Sequence, residues 1–211
     1  MEILIVRHAQ SLHNVDATDE LNSELTADGF VQILTLADWL LHEFDLTGYK
    51  GLTSPYIRTL QTSLCINQVC GLDFTIEPAV REYHSDKSHP QISNGAMFVS
   101  SEQIEFPEFT WPEETNLSCG QSFPNETLEE FTERIKAFYG GLEDGKYLIV
   151  SHGAPCRVLR DVALGNSLQY LIDRYHIKSK KEKKDKPQSI PNASASWIVD
   201  GESKFMSKVV Y

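Results

Sequence analysis

The sequence predicts an α/β fold: three α/β/α layers around a mostly parallel central sheet. Short apolar runs typical of buried strands alternate along the chain with longer segments whose apolar residues recur at helical spacing. Two of these runs, "ILIV" and "YLIV", are uninterrupted, as expected when helices cover both faces of a parallel sheet. The length of 211 residues suits a single domain spanning residues 1–211.

The first half of the chain supplies three strands and two helices. The opening run "ILIV" predicts a buried strand, and a polar loop follows it to about Asn22. "LTADGFVQILTLADWLLHEF" predicts a helix with Thr26 as its N-cap. The next elements are a short strand at "YKGLTSP", a helix over 56–69 and a third strand at "LDFTIEP".

The second half resumes this alternation. In "TLEEFTERIKAFYGG", Thr127 and Glu130 have the spacing of a capping box at a helix start. "KYLIVSHGAP" predicts another buried strand, and residues 154–175 are predicted to be helical. A hairpin with Asp200 and Gly201 at its turn closes the sheet.

Two segments stand apart from this pattern. Residues 83–124 are irregular and rich in proline and aromatic residues, and a loop of that length inside a domain predicts a wall of a binding pocket. Residues 178–186, "KSKKEKKDK", are interpreted as a solvated, Lys-rich loop, with binding of a phosphate-rich ligand or partner as the alternative.

The charge balance restricts the partners that the chain is expected to have. Thirty acidic and 19 basic residues give a net charge of −11, which disfavours nucleic acid and anionic membrane surfaces. No apolar stretch approaches the length of a membrane span, and no signal peptide is recognised. The four cysteines form no C-x-x-C pair and predict reduced thiols, so a cytoplasmic location is expected.

Cationic side chains follow three of the predicted strands. Arg7 and His8 end the first strand, His152 and Gly153 follow the later strand "KYLIVS", and Arg58 lies in the first turn of the helix after strand two. Ligands of open α/β sheets bind at the carboxyl ends of the strands, so these groups are expected to converge. Clustered cations repel one another unless an anion lies between them, and arginine forks match the oxygens of a phosphoryl group.

A phosphoryl site of this composition needs a nucleophile of its own. The sequence contains no G-x-x-x-x-G-K loop and no evident carboxylate cluster for Mg²⁺, so neither a metal nor a cofactor is expected. A neutral histidine is a competent nucleophile, and nearby arginines disfavour protonation of His8. The first strand is therefore interpreted as a stiff support for a nucleophilic histidine.

The motifs resemble those of the histidine phosphatase superfamily, which has the phosphoglycerate mutase-like fold. "RHAQSLHN" resembles the family's RHG motif, "LTADG" its L-T-x-x-G helix start and "TSPYIRTLQT" its S-S-x-x-x-R-x-x-x-T segment. "VREY" occupies the position of the family's acidic residue, "SHGAPCR" matches the second histidine motif, and "IPNASASWI" resembles the closing strand. The matches follow the family order from residue 3 to about residue 198.

The resemblance implies a role for each matching residue. His8 would form phosphohistidine, Arg7, Arg58 and His152 would hold the phosphoryl oxygens, and Glu82 would act first as general acid and then as base. The implied phosphate-binding set is Arg7, Asn14, Arg58, His152 and Gly153.

Two departures from the family pattern bear on these roles. Ala9 replaces the usual glycine, which is harmless only with a negative φ. The glycine expected soon after Glu82 is absent, so His84 and Asp86 stay open as alternative proton donors.

The resemblance implies a metal-independent phosphomonoester hydrolase acting on a small phosphorylated metabolite. A phosphoglycerate mutase-type phosphotransferase is the nearest alternative, although segment 83–124 does not resemble the mutase insertion. A phospho-ligand-binding module without catalytic activity is the other. It is disfavoured because all five catalytic candidates are present: Arg7, His8, Arg58, Glu82 and His152.

Overall fold

The computed structural model describes residues 1–85, 109–110, 125–176 and 190–206. Within these ranges seven strands form one sheet in the order β4-β3-β2-β5-β1-β6-β7. The strands are β1 (Glu2–Arg7), β2 (Tyr49–Thr53), β3 (Phe74–Ile76), β4 (Phe109–Thr110), β5 (Lys146–Ser151), β6 (Ala195–Val199) and β7 (Glu202–Met206). The first five run parallel, and β6 and β7 form an antiparallel hairpin beside β1, so the predicted mostly parallel sheet is confirmed.

Helices cover both faces of the sheet and complete the three layers. They are α1 (Ala27–Glu43), α2 (Ile57–Cys70), α3 (Leu128–Gly141), α4 (Gly153–Ala163) and α5 (Leu168–His176). Alternate side chains of β1 enter two separate cores: Leu4 and Val6 pack in the cluster that contains α1 and α2 residues. Ile3 and Ile5 pack in the cluster that contains α3, α4 and α5 residues. Because both faces of β1 are buried, the strand is held stiffly up to its last residue.

The predicted helix caps are confirmed. The side chain of Thr26 accepts a hydrogen bond from the backbone N–H of Gly29 at 2.9 Å. Thr127 and Glu130 form the reciprocal capping box, with distances of 3.1 and 2.7 Å. The closing turn is also as predicted, because Asp200 and Gly201 both have positive φ, as a two-residue hairpin turn requires.

Most of residues 154–175 are helical, as predicted, but in two separate helices. Two helices, α4 and α5, occupy this region, and between them Gly165 adopts a left-handed conformation with φ +78°. The N–H groups of Gly165 and Asn166 bond back to Val162 and Asp161, which ends α4 before the chain turns into α5. A glycine in a left-handed conformation at this point favours termination over continuation.

Parts of the sequence-based interpretation lie outside the described residues. They include the Lys-rich loop at 178–186 and, apart from residues 83–85 and β4, the segment 83–124. No helix in the described part of the chain is long and apolar enough to cross a membrane.

Candidate active site

Three strand ends bring the predicted cationic groups together. Arg7 is the last residue of β1 and lies opposite Ser151, the last residue of the neighbouring parallel strand β5. His8 and His152 follow these two strands, and their ring centroids lie 5.2 Å apart. Arg58, the second residue of α2, reaches them from the end of β2, with its Nε 3.3 Å from His8 Nε2.

The hydrogen bonds of His8 determine which ring nitrogen carries the proton. Its Nδ1 lies 2.7 Å from the carbonyl oxygen of Ala9, which only accepts, so Nδ1 is the protonated nitrogen. In the neutral ring, Nε2 then keeps its lone pair and accepts from Arg58 Nε. The chain thus presents a fixed nucleophilic nitrogen toward a guanidinium group.

The surroundings of both histidines favour the neutral ring. Burial lowers the pKa of His8 well below its usual value, and the charges of Arg58 and Arg7 lower it further. Burial also lowers the pKa of His152, and Arg58 is the largest electrostatic contributor there. Neither side chain is more than 2% exposed.

His152 links the strand ends to the acidic residue. It is the N-cap of α4, and its Nε2 lies 2.7 Å from the hydroxyl of Ser54. Its Nδ1 lies 3.7 Å from Glu82 Oε2, so a proton on Nδ1 would face a carboxylate. Glu82 keeps 22% of its side chain exposed and therefore lies at the rim of the cluster.

Backbone carbonyls and an aromatic ring hold the two arginines. Arg58 Nη1 donates to the carbonyl of Leu21 at 2.7 Å, and its Cζ lies 4.5 Å from the centre of the Tyr56 ring. Arg7 Nη1 donates to the carbonyl of Ile190. Burial lowers the pKa of both groups, yet arginine stays charged in proteins, so the cluster keeps two positive charges.

Gly153 leaves room for Arg7 at the start of α4. A Cβ atom on Gly153 would lie 3.4 Å from Arg7 Cζ and Nε, so the guanidinium lies against the amino end of the helix. Backbone N–H groups at a helix start favour anions, and Arg7 adds its charge at the same point. Arg7 Nε is buried and has no hydrogen-bond acceptor among the described residues.

Asn14 lies apart from the cationic cluster, whereas Ala9 has a backbone conformation that a non-glycine residue can adopt. Asn14 is exposed, and its Oδ1 accepts from the Ser11 N–H at 3.1 Å and from Asn192 Nδ2 at 2.6 Å, rather than joining the histidines and arginines. Ala9 is not among the residues with positive φ, so the missing glycine is tolerated there.

The structure distinguishes Glu82 from the alternative proton donors His84 and Asp86. His84 is 6% exposed, and its Nε2 lies 2.6 Å from the Tyr56 hydroxyl, so it is turned into the protein interior. Asp86 lies outside the described residues. Of the three candidates, Glu82 is the one for which the structure gives a contact with a histidine of the cluster.

Sequence reasoning missed three contributors to the site: Ser54, Tyr56 and the carbonyl of Ile190. Ser54 directly follows β2, so the strand-end rule that found His8 could have found it. Tyr56 and Ile190 act through the packing of a ring and through a backbone carbonyl, and no sequence pattern signals either contact.

A family model describing the histidine phosphatase superfamily (branch 1) matches residues 3–179. The chain belongs to this superfamily. No protein of curated function matches the sequence significantly.

Solved structures show the same fold at low sequence identity. The alpha-ribazole phosphatase from Shigella flexneri is 18% identical, with a TM-score of 0.60 and 94% of this chain and 90% of that chain covered. The mycobacterial glucosyl-3-phosphoglycerate phosphatase is 15% identical, with a TM-score of 0.57 and coverage of 93% and 88%. A complex of the mycobacterial enzyme with VO3 is 16% identical, with a TM-score of 0.58 and coverage of 100% and 98%.

Proposed function

We propose that the chain is a phosphomonoester hydrolase that works through phosphohistidine at His8 on a small phosphorylated metabolite. The observation that carries the proposal is the fixed tautomer of His8, whose Nε2 lone pair faces Arg58 at 3.3 Å. A buried, neutral imidazole beside two guanidinium groups is suited to attack a phosphorus atom whose oxygens those groups neutralise.

The first step transfers the phosphoryl group to the protein. Arg58 transfers its hydrogen bond from His8 Nε2 to a phosphoryl oxygen, and Nε2 forms a bond to phosphorus as the bond from phosphorus to the ester oxygen breaks. Arg7, Arg58 and His152 bind the non-bridging oxygens, and Glu82 gives its proton to the departing alcohol oxygen. In the second step Glu82 takes a proton from water, the water oxygen attacks phosphorus, and the bond to His8 breaks to release phosphate.

The proposed reaction proceeds without a metal ion. The two arginines supply the positive charge that a cation would otherwise bring to the transferring group. Activity is expected to survive EDTA, and loss of activity with EDTA that Mg²⁺ or Zn²⁺ restores would contradict this part of the proposal.

Hydrolysis is preferred to the two alternative functions. The similar structures are named as phosphatases, which supports water as the phosphoryl acceptor over transfer within a mutase reaction. All five catalytic candidates are retained, which favours an enzyme over a binding module. The net charge of −11 favours a small substrate over nucleic acid or a membrane surface, and the reduced-thiol interpretation favours the cytoplasm.

Product stoichiometry and trapping test the proposal together. With p-nitrophenyl phosphate and a panel of phosphorylated metabolites, phosphate should appear one-for-one with the alcohol, without added 2,3-bisphosphoglycerate. Acid quenching with labelled substrate should trap an acid-labile, base-stable phosphoprotein. Interconversion of 2- and 3-phosphoglycerate with little phosphate release would favour the mutase, and binding without turnover would favour the binding module.

A further inference from the structure

Three side chains that flank Glu82 hold its segment in place. Before it, Arg81 Nη2 pairs with Glu126 Oε2 at 3.3 Å. After it, Tyr83 stacks on Phe131 of α3, with ring centroids 4.6 Å apart and an interplanar angle of 24°. The third fastening is the hydrogen bond between His84 and Tyr56, which joins this segment to the start of α2.

Tyr56 contacts both the Glu82 segment and the active-site residues. Its side chain is fully buried, so it does not face substrate directly. Its ring lies under the Arg58 guanidinium at 4.5 Å and meets the His152 ring edge-on at 4.8 Å. Its hydroxyl lies 2.6 Å from His84 Nε2. One side chain therefore touches a phosphate-binding arginine, the second histidine and the acid-bearing segment.

Within the described residues, the hydrogen bond that the Glu82 carboxylate accepts is local. Its Oε1 accepts from the N–H of Tyr83, the next residue, at 3.0 Å, and that contact moves with the segment. The backbone at residue 84 is instead held from outside: its carbonyl accepts from the Glu126 N–H at 2.9 Å, and its ring is held by Tyr56. These two contacts hold the backbone two residues after the acid.

We propose that Tyr56 and His84 are positioning residues that hold the Glu82 carboxylate against His152 for proton transfer to the leaving group. This inference rests on the proposed hydrolysis with Glu82 as the acid. Removing either the hydroxyl or the imidazole breaks the hydrogen bond between them. It also leaves the other group buried without that hydrogen bond, which costs additional free energy. The segment is then free to shift, and a small misplacement of a catalytic group costs rate.

Tyr56→Phe is the first test because it removes the hydroxyl and keeps the ring under Arg58 and beside His152. The rate of phosphohistidine formation from an alkyl phosphate should fall by about tenfold, as for the loss of one buried hydrogen bond. The same step with p-nitrophenyl phosphate should change by less than about twofold, because that leaving group departs without a proton. KM should change little for either substrate.

His84 provides the second variant and a test of coupling. His84→Leu should show the same preference for the activated leaving group, while His84→Gln, which keeps a hydrogen-bonding group, should recover most of the rate. The double variant Tyr56→Phe/His84→Leu should lose no more than either single variant, because both remove the same contact.

Tyr49→Phe is the matched control. Tyr49 is also a buried tyrosine on the same α/β unit, and its hydroxyl donates to Glu2 Oε1 at 2.6 Å, at the opposite end of β2. It should lose comparable stability with no dependence on the leaving group. Equal losses on both substrates in Tyr56→Phe, or additive losses in the double variant, would overturn the inference. Absence of turnover by the wild-type chain would instead refute the proposed function itself.

Discussion

The two ends of the same strands have opposite electrostatic designs. At the amino end of β1, the Glu2 carboxylate accepts from Tyr49 of β2 at 2.6 Å and from Trp197 of β6 at 2.9 Å. Lys146 of β5 lies 3.6 Å from the same carboxylate. At the carboxyl end, β1, β2 and β5 lead into Arg7, Arg58 and His152, which share the nearby carboxylate of Glu82.

This difference separates a structural end of the sheet from a functional one. The amino end pairs each charge with an opposite charge or a donor, as expected for contacts that support folding. The carboxyl end gathers like charges and buries two neutral histidines beside them, which opposes folding unless an anion binds. The gathering of positive charge at this end therefore supports an oxyanion site, and each prediction below tests one consequence of the contrast.

The largest effect is expected for His8→Ala. Alanine cannot form the covalent intermediate, so turnover should fall by at least about 10⁴-fold, the scale of loss when a catalytic nucleophile is removed. The comparison at the other end of the strand is Glu2→Gln, which should lower the free energy of unfolding and leave turnover near wild type. A His8→Ala variant that retains a tenth of the wild-type rate would rule out phosphohistidine at this position.

The next effect is expected for Glu82→Gln. Phosphohistidine formation from alkyl phosphates should slow by roughly 10²- to 10⁴-fold, and the same step with p-nitrophenyl phosphate should slow much less. Glu77→Gln is the control, because the Glu77 carboxylate caps the Ala79 N–H at 2.7 Å in a structural contact five residues earlier. Equal losses on both leaving groups for Glu82→Gln would reassign Glu82 to binding and direct the search to His84 and Asp86.

The sequence could predict the site residues whose positions depend only on where the strands end. Arg7, His8 and His152 lie at or just beyond the ends of strands, so a correct strand assignment suffices to bring them together. The contact between Tyr56 and His84 joins residues 28 positions apart and depends on how a helix start packs against a later loop. That packing is not encoded in any local pattern, and neither is the use of the Ile190 carbonyl by Arg7.

Most of the fold was predictable for a related reason, but the interruption within the helical region 154–175 was not. The periodicity of α1 and the apolar runs of β1 and β5 report burial directly, so these elements were predicted correctly. The break between α4 and α5 depends on Gly165 adopting φ +78°, whereas glycine is compatible with many conformations. Residue type alone therefore did not decide between a continued helix and a turn.

Oxyanion binding should stabilise the protein by relieving the repulsion at the carboxyl end. Vanadate or phosphate at about 100 times its dissociation constant should add about 2.7 kcal/mol to the free energy of unfolding. For a chain of this size that corresponds to a rise in Tm of about 5–10 °C. Arg58→Gln should reduce the rise strongly, and Lys146→Gln, at the paired end, should not. An equal rise in all three proteins would show that the anion binds elsewhere.

The smallest effect is expected in the pH dependence of stability without ligand. Burial and the arginines lower the pKa of His8 and His152 in the folded chain, whereas in the unfolded chain these rings titrate near about 6.5. Below that pH the unfolded state therefore binds more protons than the folded state, and the free energy of unfolding falls as pH falls.

Thermal unfolding in phosphate-free buffer should show Tm decreasing from about pH 7 to about pH 5.5, a window chosen above the usual range of carboxylate titration. His8→Gln should make this decrease shallower, because one of the two contributing rings is gone. A slope that is the same in wild type and His8→Gln would mean that His8 binds protons equally in both states, and the neutral nucleophile inferred from its burial would have to be abandoned.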